Sequence, residues 1–276
     1  MDKYYDKVDK VVGVSGVISK HPHLEPRSSK NFPYPPLEEH PITKKIDHAC
    51  KELGYNSVRT PRAIVSEQKG KRNPCYYSNY CGSYACSSGA KSSGRAALLQ
   101  EIIGEKNLTV IPNAFVYKLN TDKNNKIISA YYYDKNRKSK EIKAKIFVLA
   151  AQAIESSRLL LNSKNENFPN GVANNSGNVG KNFLSTGGGT GIGSFDSSSM
   201  NLDELMIPGL FVNRSLKDWY FTKDFKGGTV DFLFEHANPI RRANGMKWGE
   251  NGLLIGKELQ DNLFKEFTTK KQLRFE

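Results

Sequence analysis

The run KIFVLAAQAIESSRLLLNS, from Lys145 to Ser163, constrains the fold more than any other part of the chain. Ile146, Phe147, Val148 and Leu149 carry no charge and show no alternation. An extended segment of this kind is expected to be a strand covered on both faces. It ends on Ala150, Ala151 and Gln152 and passes directly into a helical pattern through Arg158 and Leu159. Small residues at the end of a buried strand let a ligand approach the backbone, and ligands favour such strand ends.

The segments before this run have the same character. NLTVIP, AFVYKLN and KIISAYYYD are rich in branched and aromatic residues and read as strands. TDKNNK, between the second and third, predicts a hairpin turn. Upstream, PITKKIDHACKELGY places Ile42, Ile46, Ala49, Cys50 and Leu53 at helical spacing, with Gly54 as the stop and Cys50 as a core thiol. GRAALLQEIIG predicts a second helix with a stripe of Leu98, Leu99, Ile102 and Ile103. The first 66 residues otherwise show little regular signal, and HPHLEPRSSKNFPYPPLEEHP predicts an extended surface segment. His21 and His23 lie two apart, but no third ligand is near in sequence, so they read as loop histidines. Residues 163–195 are a loop dense in Gly, Asn and Ser, whose glycines do not meet the G-x-G-x-x-G spacing of a phosphate cradle. GTVDFLFEHANP reads as a strand, and KELQDNLFKEFTTKKQLRFE as a helix with a charged tail.

A chain of 276 residues can bury a core, as one large domain or two lobes. Its formal charge of +13 permits binding to nucleic acid or an anionic surface. The lysines are scattered among acids and asparagines, which favours a solvated surface and no nucleic-acid partner. The start, MDKYYDKVDK, is charged with both signs and does not fit a signal peptide, and the longest apolar run, IFVLAA, is too short to span a membrane. A cytoplasmic protein in a reducing compartment is expected. Three of the four cysteines, Cys75, Cys81 and Cys86, crowd into NPCYYSNYCGSYACSSGAKSS. Their spacing is not that of a zinc site. Three thiolates and three unligated thiols are both open readings.

VLAAQAIESSRLLLNS resembles the second signature of the glucose–methanol–choline oxidoreductases, FAD-dependent flavoproteins. GVANNSGNVGKNFLS is similar to that family's following loop, and YYDKVDKVVGVSG to its segment entering the substrate side. CGSYACSSGAKSS is similar to the cysteine loop of the gluconate- and sorbitol-dehydrogenase-like branch, and FEHANPIRRAN extends the likeness to about residue 244. Gln152 stands where the family usually has Gly, Ser157 where it has Pro, and Ser185 near a position where many members carry His.

The resemblance implies an incomplete α+β flavoprotein. Residues 1–66 would be a substrate-side segment, 67–186 a portion of the FAD-binding domain with the cysteine loop, and 187–276 a portion of an antiparallel-sheet substrate-binding domain. It implies FAD contacts at Val116, through backbone groups, and at Ala150, Ala151 and Gln152. Some relatives hold an iron–sulfur cluster in such a loop, which would make Cys75, Cys81 and Cys86 ligands. The family's G-x-G-x-x-G βαβ unit and its C-terminal catalytic His have no counterpart here, so no catalytic residue is assigned. The chain is expected to be an internal portion of an oxidoreductase acting on CH–OH groups of a sugar, sugar acid or other alcohol. It would be inactive alone and would need a complementing chain or an electron-accepting subunit. The alternative is a non-catalytic basic binding protein reusing the scaffold.

Overall fold

The computed structural model describes residues 1–78, 85–225, 227–234 and 239–276. In chain order the elements are α1 (Asp2–Val12), α2 (Ile42–Glu52), β1 (Ser57–Arg59), a π-turn (Arg95–Leu99) running into α3 (Gln100–Ile102), β2 (Phe115–Thr121), β3 (Ile127–Tyr133), β4 (Ser139–Lys143) and α4 (Gln152–Asn162). There follow β5 (Gly191–Asp196), α5 (Leu202–Leu205), β6 (Arg214–Leu216), β7 (Val230–Phe234), α6 (Pro239–Gly245), β8 (Trp248–Gly249), β9 (Gly252–Leu253), α7 (Gly256–Thr268) and β10 (Lys270–Phe275). Helices and antiparallel sheets are both present, so the class is α+β. The residues fall into two compact units, 1–105 with 188–276, and 106–187.

The larger unit is built on a five-stranded antiparallel sheet in the order β1-β6-β7-β10-β5. Its core joins Ile42, Ile46 and Cys50 of α2 to Leu205, Leu216 and Leu273. The expected stripe on α2 is therefore formed, except that Ala49 and Leu53 face solvent. Burial pushes the Cys50 thiol up, as suits a core cysteine. The charged tail KKQLRF is no extension of α7 but the strand β10, paired on both sides. Its Leu273 enters the core, which overrides the polar look of the segment.

Two further expectations are corrected in this unit. The opening residues form a helix, α1, whose end is set by Gly13 in the left-handed region. The GRAALLQEIIG segment is helical as expected, a π-turn running into α3, but its buried face is Ala96 and Ala97, while Leu98, Ile102 and Ile103 of the expected stripe stay exposed. The proline-rich segment is irregular, with a turn at 22–23 and bends at 28–31, and it is not wholly on the surface, because Leu37 and His40 are buried. Arg214 draws it in by pairing with Glu39 at 2.6 Å and with both Asp47 oxygens at 2.7 and 2.9 Å. Burial of Asp47 opposes ionisation, but Arg214 and the Ser57 hydroxyl hold its carboxyl below the ordinary value.

The smaller unit is a three-stranded antiparallel sheet, β2-β3-β4, with α4 packed on it through Leu119, Ala130 and Leu159. The hairpin over 115–133 is formed as expected. In its turn the Asp122 carboxylate accepts from the N–H groups of Asn124 and Lys126, and Asn125 takes a positive φ of 65°. Asp134 closes a second turn of the same kind before β4. Two strands expected from the sequence are absent. NLTVIP is irregular, with Val110 and Ile111 exposed. The run 146–150 has no regular structure, and Ile146 and Val148 are 81% and 85% exposed rather than covered. Among the described residues no neighbouring strand lies against either segment, so no ladder can form.

His40 generates a pH prediction. Its buried ring contacts the Leu205 carbonyl at 3.1 Å and accepts the Ile42 N–H at 3.2 Å. Burial, helped by nearby Lys271, lowers its pKa from 6.5 to about 4. Between those values the unfolded chain holds the extra proton, so the contribution present above 6.5 is lost as pH falls towards 4. Urea unfolding across this window should show stability falling with acid, and a shallower fall in His40→Gln. Identical slopes for the two proteins would contradict the assignment.

Candidate functional site

Two groups of residues are candidates, one in each unit. In the smaller unit, a buried hydroxyl adds to the apolar packing of α4 on β2. Fully buried Ser163 accepts the Leu119 N–H at 2.8 Å and donates to the Leu159 carbonyl at 2.6 Å. The loop after α4 closes over the same point. Gly171 has φ 100°, and an added Cβ would lie 2.7 Å from the Leu160 carbonyl, so only glycine fits. Arg158 pairs with Glu155 at 2.7 Å and lies over the Phe115 ring at 5.0 Å. The hydrogen bond from Arg158 holds the Glu155 carboxyl below its ordinary range.

Val116 lies on β2 where the register to β3 slips between Val116 and Lys118. A bulge of this kind re-aims the chain and interrupts ladder pairing. Its neighbour Phe115 lines a shallow cavity of about 340 Å³ with Asn113, Tyr133, Asp134 and Arg137. Ala150 and Ala151 are exposed at the end of the unpaired run. Gln152 opens α4 with φ 57°, and its side-chain oxygen accepts the Ile154 N–H at 2.9 Å. That backbone explains why glycine is expected at this position, since a left-handed conformation costs other residues about 1–2 kcal/mol. Val116 and the 150–152 corner share one unit through α4 and β2, and no interaction among the described residues joins them directly.

In the larger unit the cysteine stretch is anchored by Arg72, which is fully buried. Its guanidinium donates to the carbonyls of Val12, Gly89 and Ala90 at 2.6, 3.0 and 2.8 Å, and to the Ser92 hydroxyl at 2.6 Å. It thereby ties the end of α1 to the loop following Cys86. Nothing in GKRNPC marks Arg72, an arginine in a basic string, as buried; only the folded loop shows it. The Cys75 N–H donates to the Val65 carbonyl at 3.1 Å, and its sulfur accepts the Tyr77 N–H at 3.4 Å. Cys86 sits 3.3 Å from the Ser88 hydroxyl. Its burial opposes ionisation, but Ser88 and the N–H groups of Lys91, Ser88 and Ala90 lower its pKa overall. Cys81 lies outside the described residues. Among the described residues no cluster of three or more His, Cys, Asp or Glu could hold a metal ion, His21 and His23 included.

Two substitutions test these placements. Arg72→Lys removes the planar fork that spans four acceptors, and should cost about 2–4 kcal/mol in chemical unfolding. Gln152→Gly should stay within about 1 kcal/mol of the parent, while Gln152→Val should cost roughly 2 kcal/mol more than that, because branching resists positive φ. A neutral Arg72→Lys, or a tolerated Gln152→Val, would contradict the geometry described.

Comparison with known proteins fits this arrangement. The family model described as GMC oxidoreductase matches residues 34–185. The fructose dehydrogenase large subunit of Gluconobacter japonicus is 30% identical over 95% of this chain and 47% of its own length. Paromamine 6'-oxidase of Streptomyces fradiae is 29% identical over 86% and 43%, and the gluconate 2-dehydrogenase flavoprotein of Pantoea cypripedii is 25% identical over 66% and 32%. The chain thus spans less than half the length of these relatives. The matched region contains both the Arg72-anchored cysteine stretch and the unit of β2, α4 and the Gly171 loop, and by that match the chain belongs to the GMC oxidoreductase family.

Proposed function

We propose that this chain supplies part of an FAD-dependent oxidoreductase that acts on CH–OH groups of sugars, sugar acids or other alcohols. The observation that carries the reading is the family match over 34–185, which includes the β2–α4 unit. The names of the relatives point to a polyol-like substrate. In the proposed enzyme 1–66 lies on the substrate side, 67–186 belongs to the flavin-binding part and 187–276 to the substrate-binding part. This is a division of roles; the compact units break elsewhere.

FAD, when bound, would accept the hydride from the alcohol carbon. The residues present fit one edge of such a cofactor. Val116 offers backbone at a bulge, and Ala150 and Ala151 offer exposed small side chains just before α4. Gln152 would turn the chain away at the helix start, leaving that edge open. Cys75, Cys81 and Cys86 would supply three thiolates for an iron–sulfur cluster. What supports this is their crowding in one stretch and the donors around Cys86 that favour its thiolate. Iron and sulfide assays after anaerobic purification test it, and three metal-free thiols would end it.

The 276 residues contain no G-x-G-x-x-G loop. A pyrophosphate cradle contributes several charge-assisted hydrogen bonds at about 1.5–3 kcal/mol each. Lacking three of them should weaken binding by very roughly a thousandfold or more. Equilibrium dialysis of the isolated chain should therefore show only weak FAD binding, and dye-linked assays on fructose, gluconate and sorbitol should show no turnover. Submicromolar FAD binding or clear turnover by this chain alone would overturn the reading.

A further inference from the structure

We infer that the cleft between residues 23–26 and the Tyr220–Phe221 corner is a saccharide-binding site that takes one sugar ring. The inference goes beyond the oxidoreductase reading, because binding here needs neither flavin nor turnover. The cleft encloses about 250 Å³ and is lined by His23, Leu24, Glu25, Pro26, Tyr220 and Phe221. All six lie outside the matched span 34–185, so the family match assigns them no role. Contacts far apart in sequence fix both walls in the larger unit. Lys217 donates to Glu25 at 2.6 Å, and His21 Nε2 faces Asp218 at 4.0 Å. His21 Nδ1 accepts the His23 N–H at 3.1 Å, and the Tyr220 N–H donates to the Lys217 carbonyl at 3.0 Å. Trp219, in the same corner, sets its ring 4.6 Å from that of Tyr55 and packs on the core.

The chemistry of the walls selects the ligand. Tyr220 and Phe221 are 57% and 77% exposed, and the His23 ring centroid lies 6.5 Å from that of Phe221. Such ring faces cover the apolar C–H face of a sugar and remove it from water. The polar groups beside them are uncommitted. The His23 imidazole and the Tyr220 hydroxyl make no hydrogen bond among the described residues, and both can donate and accept. Burial opposes ionisation of Glu25, but the hydrogen bond from Lys217 holds its carboxyl below the ordinary value, so it serves as an acceptor. Sugar hydroxyls need donors and acceptors together, a demand that a purely apolar ligand does not make. Because Glu25 and Lys217 already neutralise each other, the fitting ligand is uncharged. The volume falls below the roughly 300–1,000 Å³ of a drug-sized site, which suits a single ring and not a saccharide chain.

The probes are D-glucose and D-fructose as ring sugars, sorbitol as an open chain and cellobiose as a two-ring saccharide, all without FAD. Saturation-transfer NMR and titration calorimetry with the full 276-residue chain should show both ring sugars bound in the millimolar range. Sorbitol should bind at least about fivefold more weakly, because a flexible chain presents no preformed C–H face. Phe221→Ala should weaken ring binding at least about tenfold and His23→Ala about threefold, while Phe264→Ala, which removes a comparably exposed ring from α7, should leave it unchanged. Circular dichroism and an unchanged unfolding midpoint verify the fold of each variant. No binding of either ring sugar, or binding that Phe221→Ala leaves intact, overturns the inference. So does sorbitol binding as tightly as glucose, or binding of cellobiose alone. Self-association that Phe221→Ala abolishes, without sugar binding, would make a second copy the occupant and overturns it too. The flavin reading is tested by FAD dialysis and dye-linked turnover, neither of which enters these measurements, so the two fail independently.

Discussion

Five consecutive apolar residues outside any strand, Ile146 to Ala150, set two demands that the rest of the smaller unit does not meet. Their peptide groups need partners, and their outer faces need cover. The unit meets the demands on one side only. Phe147 is held by Leu119, Ala130 and Leu159, and Ser163 locks α4 to β2 so that this small core does not slip. On the other side Ile146 and Val148 meet solvent, and Phe183 and Leu184 are likewise exposed in the same unit. The unit thus has a finished face and an unfinished one. The candidate cofactor residues Ala150 and Ala151 sit at the end of the unfinished run, and Gln152 turns the chain away from it.

The larger unit solves a different problem. Its first 66 residues contain little that packs by periodicity, so polar groups do the joining. Arg214 clamps Glu39 and Asp47 against the sheet, His40 bridges to the Leu205 carbonyl, and Arg72 gathers three carbonyls and a hydroxyl from segments far apart in sequence. A buried guanidinium paired with carbonyls remains charged yet satisfied, which makes it an exacting clamp. Through Arg72 the position of the loop following Cys86 depends on the end of α1.

How much of this was legible in the sequence depends on whether the cause is local. The hairpin of β2 and β3 was readable, because Asp122 and Asn125 make its turn with their own neighbours. The face of α2 was readable because Ile42, Ile46 and Cys50 recur at the helical period. The strand β10 was not, since KKQLRF looks like a solvated tail until β5 and β7 flank it. The roles of Arg72 and His40 come from partners 17 to 165 residues away, and no local pattern announces those. The run at 146–150 was misread for an instructive reason. Its apolar composition predicts a covered strand, but among the described residues no strand lies beside it to form a ladder, and only Phe147 packs on the core. Family motifs were visible because they fix backbone rather than packing, as the positive φ of Gln152 and the close approach at Gly171 show.

The central claim is that 146–149 is an apolar run left outside the ladder of the sheet it adjoins. Native-state amide hydrogen exchange on the isolated chain tests it residue by residue. The account predicts that the amides of Phe147, Val148 and Leu149 exchange at nearly the rate of an unstructured peptide, while those of Ala130 and Tyr132 in β3, between two paired neighbours, are strongly protected. Protection at 147–149 comparable to that of β3 would show that the run is already paired within this chain, and would contradict the account.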